Sequence, residues 1–413
     1  MINFEPIEWA FIETANQLGF DKKPFQERIK VGSDIFEEIK KYGVEKTYFK
    51  YNPDEPQLFA RALIGLGDIA NGKPTNMLVG LDVTSSGPQN GEVGSRDSTG
   101  LAITGAIDLI VNGVTIVPDV YTEIENKLRP VGVPKLSRKM VKEAVIPYVY
   151  GSTDAPKSLF GKFYKHFKEA FFQTIPGSDS FKNLLIDAWQ DDCMLYKWEL
   201  PDGFVATTVP EKNIEFRLQL LGNHSYTYVS KEPSPLEKGD LHTKALSANV
   251  FHAFDGFMLR EVHRICNYDP LVVKRAKKNL ETRHREGSNG RAEHLEQLYW
   301  KFKFFSFEIL EVIQLNIGNI SEEYINVCLQ QIDYLLSKKP FKLISIHDEF
   351  MCSPLNCNVM KQVYNNLLGA LYCSDWFRIV INELRNDNLA DKYVEPINWD
   401  IYNKIINNTY ALS

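Results

Sequence analysis

A chain of 413 residues can bury a large core and would ordinarily divide into two or three domains. Its hydrophobic content of 44% and charged content of 24% describe an ordinary soluble globular protein. The formal charge of −6 excludes a generally basic nucleic-acid binder, so any such surface must be a local basic groove. The six cysteines (Cys193, Cys266, Cys328, Cys352, Cys357, Cys373) form no CxxC pair and no His/Cys cluster at zinc spacing, which favours free thiols in a reducing cytoplasm. The amino terminus has no basic segment leading into an apolar one, as a signal peptide would. The most apolar run, Leu101 to Val117, carries Asp108 and Asn112 and is too short to span a bilayer.

In chain order, amphipathic periodicity predicts helices at 7–19, 24–41 and 56–70, a scaffold with little chemistry of its own. Asn76 to Thr84 (NMLVGLDVT) reads as a short buried strand delivering Asp82 at its end, followed by a small-residue loop, TSSGPQNG. Taken alone, Asp82 is better read as a helix cap. Residues 98 to 117 are expected to be helical. Ser137 to Gly151 (SRKMVKEAVIPYVYG) places Arg138, Lys142, Ile146 and Tyr150 on one helical stripe, with Pro147 predicting a kink. A row of cation, cation, apolar and aromatic suits a polyphosphate lying along a helix with a ring closing over the sugar. A solvated amphipathic helix fits the stretch equally well.

Lys157, Lys162, Lys165 and Lys168 interleave with Phe160, Phe163, Tyr164 and Phe167, a pattern shared by nucleic-acid grooves and by helices with snorkelling lysines. Alternation from Phe204 to Ser230 predicts two or three antiparallel strands. Leu246 to Arg264 reads as a helix with His252 and Asp255 on one face. Residues 266 to 340 read as mostly helical, with a break at Glu286 to Gly290 and one strongly apolar helix from Glu296 to Ile317. Phe341 to Phe350 (FKLISIHDEF) is expected to be a second strand ending in Asp348 and Glu349. Helices at about 356–371 and 376–385 precede a polar tail.

Two buried strands far apart in sequence thus each end in an aspartate, with a cationic helix between them. Converging carboxylates can hold two divalent ions about 4 Å apart for in-line phosphoryl transfer, and magnesium favours such ligands together with substrate phosphates. In this combination the chain resembles the single-subunit, phage and mitochondrial type of DNA-dependent RNA polymerase, related to the family A DNA polymerases. Asp82 to Gln89 matches motif A (D-x-x-x-S-G-x-Q), with Arg96-Asp97 beyond it. Arg138, Lys142, Tyr150 and Gly151 match motif B, and His347-Asp348 matches motif C. Asn249, His252, Asp255 and Gly256 form a weaker fourth match.

The resemblance implies an α+β, largely helical right-hand fold. Residues 1–76 would be a helical scaffold leading into the palm, 77–132 palm with motif A, and 133–245 fingers with motif B. Residues 246–413 would be palm with motif C, carrying a helical insertion at 266–340. It implies two Mg2+ ions bound by Asp82 and Asp348 with the Val83 carbonyl, and a triphosphate held by Arg138 and Lys142. Tyr150 would sense the ribose 2′-hydroxyl, His252 would contact the nascent pair from the minor groove, and His347 would position Asp348 or the primer end.

Gly87 stands where the DNA polymerases carry a glutamate that blocks the 2′-hydroxyl, which favours ribonucleotides, whereas Glu349 makes motif C closer to the DNA polymerase form. Within the family the chain looks most like the larger, palm and fingers subunit of a heterodimeric coliphage enzyme. It would then lack the amino-terminal promoter domain and thumb and act in the host cytoplasm. The implied partners are a DNA template, nascent RNA, ribonucleoside triphosphates and a second, smaller subunit, with a single-stranded DNA-binding or promoter-melting factor a further possibility. The rival readings are a family A-like DNA polymerase or primase-like enzyme, and a degenerate polymerase fold that only binds nucleic acid.

Overall fold

Three apolar clusters organise the chain, and one short strand lies where two of them meet. The computed structural model describes residues 2–53, 55–220, 224–237, 245–285 and 287–413. It is an α+β fold, 59% helical, with small sheets. No helix among the described residues is long and apolar enough to cross a membrane.

Helices Pro6–Ala15, Phe25–Tyr42 and Pro56–Ala70 form the expected amino-terminal scaffold. They close around Phe11, Ile35, Phe59, Leu63 and Leu66. Strand β1 (Val79–Asp82) follows, with Val79, Gly80 and Leu81 buried. The predicted loop after it is instead a helix, Ser86–Ser95, buried from Gly87 onward. Its glycines serve close packing: a Cβ at Gly94 would stand 2.6 Å from the Phe377 ring.

The expected helix at 98–117 is also overturned. Only Ser98–Leu101 is helical; strands β2 (Leu109–Val111) and β3 (Val114–Ile116) then form a hairpin. Its two-residue turn is Asn112-Gly113, both at positive φ (51° and 76°), the turn chemistry that suits two paired strands.

A second cluster gathers helices Val120–Leu128, Arg138–Val149 and Tyr164–Thr174 around Tyr148, Phe160, Phe167 and Phe171. The lysines of 157–168 are exposed, and Phe160 and Phe167 stack in this core, so the basic–aromatic alternation is that of an amphipathic surface. The strands expected from Phe204 to Ser230 form as β5 (Val205–Thr208), β6 (Glu211–Leu220) and β7 (His224–Pro233). One that the alternation did not announce, β4 (Tyr196–Glu199), pairs with β5, while the long, exposed β6 pairs with β7.

Helix Ala245–Cys266 enters the largest cluster, and the helices of 266–340 join it through Leu280, Leu298, Phe302, Ile325 and Leu335. This segment is therefore core, and Phe341 N–H donates to the Cys266 carbonyl where it returns. The single helix expected at 296–317 is two, Gly290–Phe302 and Glu308–Ile313, because Lys303 turns left-handed (φ 58°) and ends the first. Of the predicted break at 286–290, Glu286 lies outside the described residues. Strands β8 (Ile344–Ile346) and β9 (Glu349–Cys352) complete a three-stranded sheet of order β1-β9-β8, all antiparallel. Helix Cys357–Cys373 reaches this sheet, its Tyr364 ring 5.9 Å from that of Phe350, whereas helix Trp376–Arg385 packs against Ser86–Ser95 and β4. The tail is not a polar fringe: Asn408 to Ser413 are buried.

The Gly94–Phe377 approach predicts that Gly94→Ala destabilises the fold by about 1–3 kcal/mol through overpacking. Urea denaturation checks this; an unchanged midpoint would mean the two helices can separate freely.

Candidate active site

The pairing of β1 with β9 sets the register in which Asp82 stands opposite Glu349. One step further, Val83 N–H donates to the Asp348 carbonyl at 3.2 Å. His347 and Asp348 are the two turn residues of the β8–β9 hairpin, so Asp348 sits at a turn and not at the end of one continuous strand. His347 takes φ 53°, a left-handed conformation that histidine adopts more readily than most non-glycine residues. Gly80 is required beneath this pair, since the Glu349 carboxylate lies against its α-carbon, and its N–H is held by the buried Glu13 at 3.0 Å.

Two carboxylates from strands distant in sequence are thereby forced together. The Asp82 side chain is reached by solvent but lies on the floor of a cleft. Burial, then the Asp348 charge, pushes its carboxyl up to about 6, with Lys22 working against the shift and Glu349 adding to it. Glu349 is also raised, by burial first and by Asp348, against the pull of Arg61. On its other edge, β1 is flanked by the tail. Asp82 and Ser413 exchange backbone hydrogen bonds of 2.9 and 3.3 Å, and Val83 bridges to Leu412. The buried Lys361 ammonium fastens this tail by donating to the Thr409 carbonyl at 2.7 Å, and Asp108 accepts from Thr409 N–H at 2.7 Å.

A cavity of about 330 Å³ opens over these carboxylates. Asp82, Val83, Gly87, Arg138, Lys142, Ile146, Tyr150 and Asp348 all line it, so all three matched motifs face one space. The helix that presents the stripe is capped by the Ser137 hydroxyl, which accepts from Met140 N–H at 3.2 Å. Val141, Ala144 and Tyr148 are buried away from the cavity. It runs through Pro147 to Val149 without a break. Pro147 stands in the last turn, where the carbonyl it leaves unmatched belongs to the exposed Glu143.

Tyr150 ends that helix with its ring 4.7 Å from His252, and Ser86 hydrogen-bonds its phenol. Burial, then Asp255, drives the phenol well above its usual range. The place beside Gly87 is filled by Tyr150: a Cβ there would meet its hydroxyl at 3.0 Å. His252 is lowered by burial and by His347. Asp255, bonded by Asn90 at 2.6 Å, is pushed up to about 8 by burial and then by Asp348. His252 and His347 stand outside the cavity wall, and no hydrogen bond joins the His347 side chain to Asp348 among the described residues. Arg96 is also elsewhere, buried and donating to the Tyr372 and Ser374 carbonyls at 2.8 Å.

Among the wall residues that sequence reasoning missed, Lys22, Asp119, Tyr121 and Ser413 are polar. Asp119 carried a helix-capping pattern, and it does cap Val120–Leu128, but it also binds Arg138. Tyr121 lies under both cations of the stripe, its ring centroid 5.3 Å from the Arg138 guanidinium and 6.0 Å from Lys142 Nζ. Burial and then Asp119 push its phenol up to about 12. Lys142 forms no ion pair among the described residues.

No group of three or more metal-ligating side chains occurs among the described residues. A divalent ion at Asp82 and Asp348 would complete its shell from the Val83 carbonyl, water and a ligand's phosphates, the mixture magnesium prefers. The chain matches no family model and no curated protein.

Because Asp82 is raised above its unfolded value, the stability it contributes is fully present below pH about 4 and is lost as pH rises through about 6. Asp82→Asn should therefore melt higher than the native chain at pH 7.5, with the gap closing by pH 4.5. A gap that is the same at both pH values would contradict the repulsion between the two carboxylates.

Proposed function

We propose that the chain performs DNA-templated RNA synthesis by two-metal nucleotidyl transfer, as the catalytic, palm and fingers subunit of a split phage-type RNA polymerase. The observation that supports it is the single cavity that Asp82 and Asp348 line together with Arg138, Lys142 and Tyr150. A carboxylate pair opposed by a cationic helix suits a metal–triphosphate complex whose reacting phosphorus lies between them.

Asp82, Asp348 and the Val83 carbonyl would hold two Mg2+ ions, which when bound favour attack by a 3′-hydroxyl and neutralise charge at the leaving oxygen. Lys142, as a mobile point charge, and Arg138, as a planar fork, bind the β and γ phosphates and the departing pyrophosphate. Tyr150 closes the sugar end of the cavity. A larger residue at 87 would push against its phenol, and the ribose reading rests on the resemblance at Gly87. The smaller subunit and the template are partners implied by the resemblance.

Asp82→Ala and Asp348→Ala should each reduce magnesium-dependent extension on single-stranded DNA by at least about a thousandfold, with helicity unchanged by circular dichroism. The assay is run with each nucleotide type, with and without a candidate small subunit. Retained activity in either variant would sink the assignment. Preference for deoxynucleotides would transfer it to the DNA polymerase reading, and DNA binding without synthesis under every condition would leave only a binding module. Tyr150→Phe, which removes only the hydroxyl, should narrow the preference for ribonucleotides over deoxynucleotides by about tenfold. An unaltered ratio would place sugar selection elsewhere.

A further inference from the structure

Arg138 already has an anionic partner in this pocket. Its Nε donates to Asp119 Oδ2 at 2.5 Å and its Nη2 to Asp119 Oδ1 at 3.3 Å. The same carboxylate accepts from Tyr121 N–H at 3.1 Å, Thr122 N–H at 3.4 Å and the Thr122 hydroxyl at 2.7 Å. Asp119 is therefore fixed to the backbone it caps. Arg138 is held at its far end alone, on a long side chain that is 37% exposed, against the Tyr121 ring.

The two partners differ in what they lose on separation. Without Arg138, Asp119 keeps its three donors at the helix start, where backbone dipoles favour negative charge. Without Asp119, the guanidinium needs another oxyanion, and phosphate offers the same two-point geometry. The pair is only partly buried, so it is weak enough for a multiply charged group to displace. Burial would raise the Asp119 carboxyl, but the bonds from Arg138 and Thr122 hold it below its ordinary value.

We propose that Asp119 is a resident substitute for substrate phosphate: it holds Arg138 in the empty cavity, yields it to an incoming triphosphate, and takes it back as pyrophosphate leaves. Asp119 is a positioning residue that acts through Arg138. Every polyphosphate, substrate or product, must first compete with it, so it weakens both and speeds release of the product. The inference rests on the nucleotide reading of the cavity.

The experiment is calorimetric titration of inorganic triphosphate and of pyrophosphate, with Mg2+ present, into the full chain and into Asp119→Asn, Arg138→Ala and the double variant. Asparagine retains an acceptor for the cap and removes the charge; Asp119→Ser, also a cap former, replaces it if the first variant is poorly folded by its melting curve. Asp119→Asn should bind both anions about threefold to tenfold more tightly. Arg138→Ala should bind them more weakly, and the double variant should match Arg138→Ala. Unchanged or weaker binding by Asp119→Asn, with Arg138→Ala still impaired, would overturn the exchange and leave the nucleotide cavity standing. No effect of Arg138→Ala on either anion would remove both.

Discussion

The structure depends on holding Asp82 and Asp348 side by side in spite of their repulsion. Among the described residues neither carboxylate forms an ion pair with an arginine; the two are placed by a backbone register whose rungs are Asp82 opposite Glu349 and Val83 bonded to Asp348. What maintains that register is the other face of the sheet. Val79, Leu81, Phe350 and Cys352 are buried, and a slip by one residue would turn them to solvent. Hydrophobic burial on one side thus fixes like charges on the other. That is the usual relation between a stable scaffold and a locally destabilising site. The left-handed His347 fits this account, since a two-residue turn beside the carboxylate leaves the chain few alternatives.

The same economy of parts explains why the cavity is assembled from so many segments. The β1–β9 pairing and the β8–β9 turn bring in the two carboxylates, the Arg138–Val149 helix brings the cations, and Tyr150 stands beside Gly87. The small residues of Ser86–Ser95 let that helix pack closely behind Asp82, so that Gly87 reaches the Tyr150 hydroxyl. The segments around the cavity are held by a second tier that is buried and polar: Glu13 under Gly80, Asn90 on Asp255, and Lys361 on the tail.

Much of this was legible in the sequence, for a physical reason. Long amphipathic runs such as 25–42 and 376–385 declare their period, and a strand that ends on Asp82 announces itself by its apolar run. The spacing of Arg138, Lys142, Ile146 and Tyr150 was enough to foresee a common stripe, and all four do line one cavity. What failed were places where local composition misled. Glycine-rich Ser86–Ser95 looked like a loop because its helix is stabilised by burial and not by propensity. In 98–117 the Asn112-Gly113 turn, with both residues at positive φ, sets a hairpin where a helix is expected. Asp119 and Ser413 join the site only through tertiary folding, and no periodicity could have brought them to Arg138 and Asp82.

The β1–β9 pairing also has a consequence in time. Its two strands lie roughly 270 residues apart, and closing so long a loop is an entropic cost that local helices never meet. The tail that flanks β1 on its other edge comes later still in the chain. As the protein emerges from a ribosome, its scaffold and its cationic helix can form while β1 still lacks both neighbours. The two aspartates meet only once β8 and β9 have arrived, so the paired carboxylates are among the last parts of the cavity to assemble.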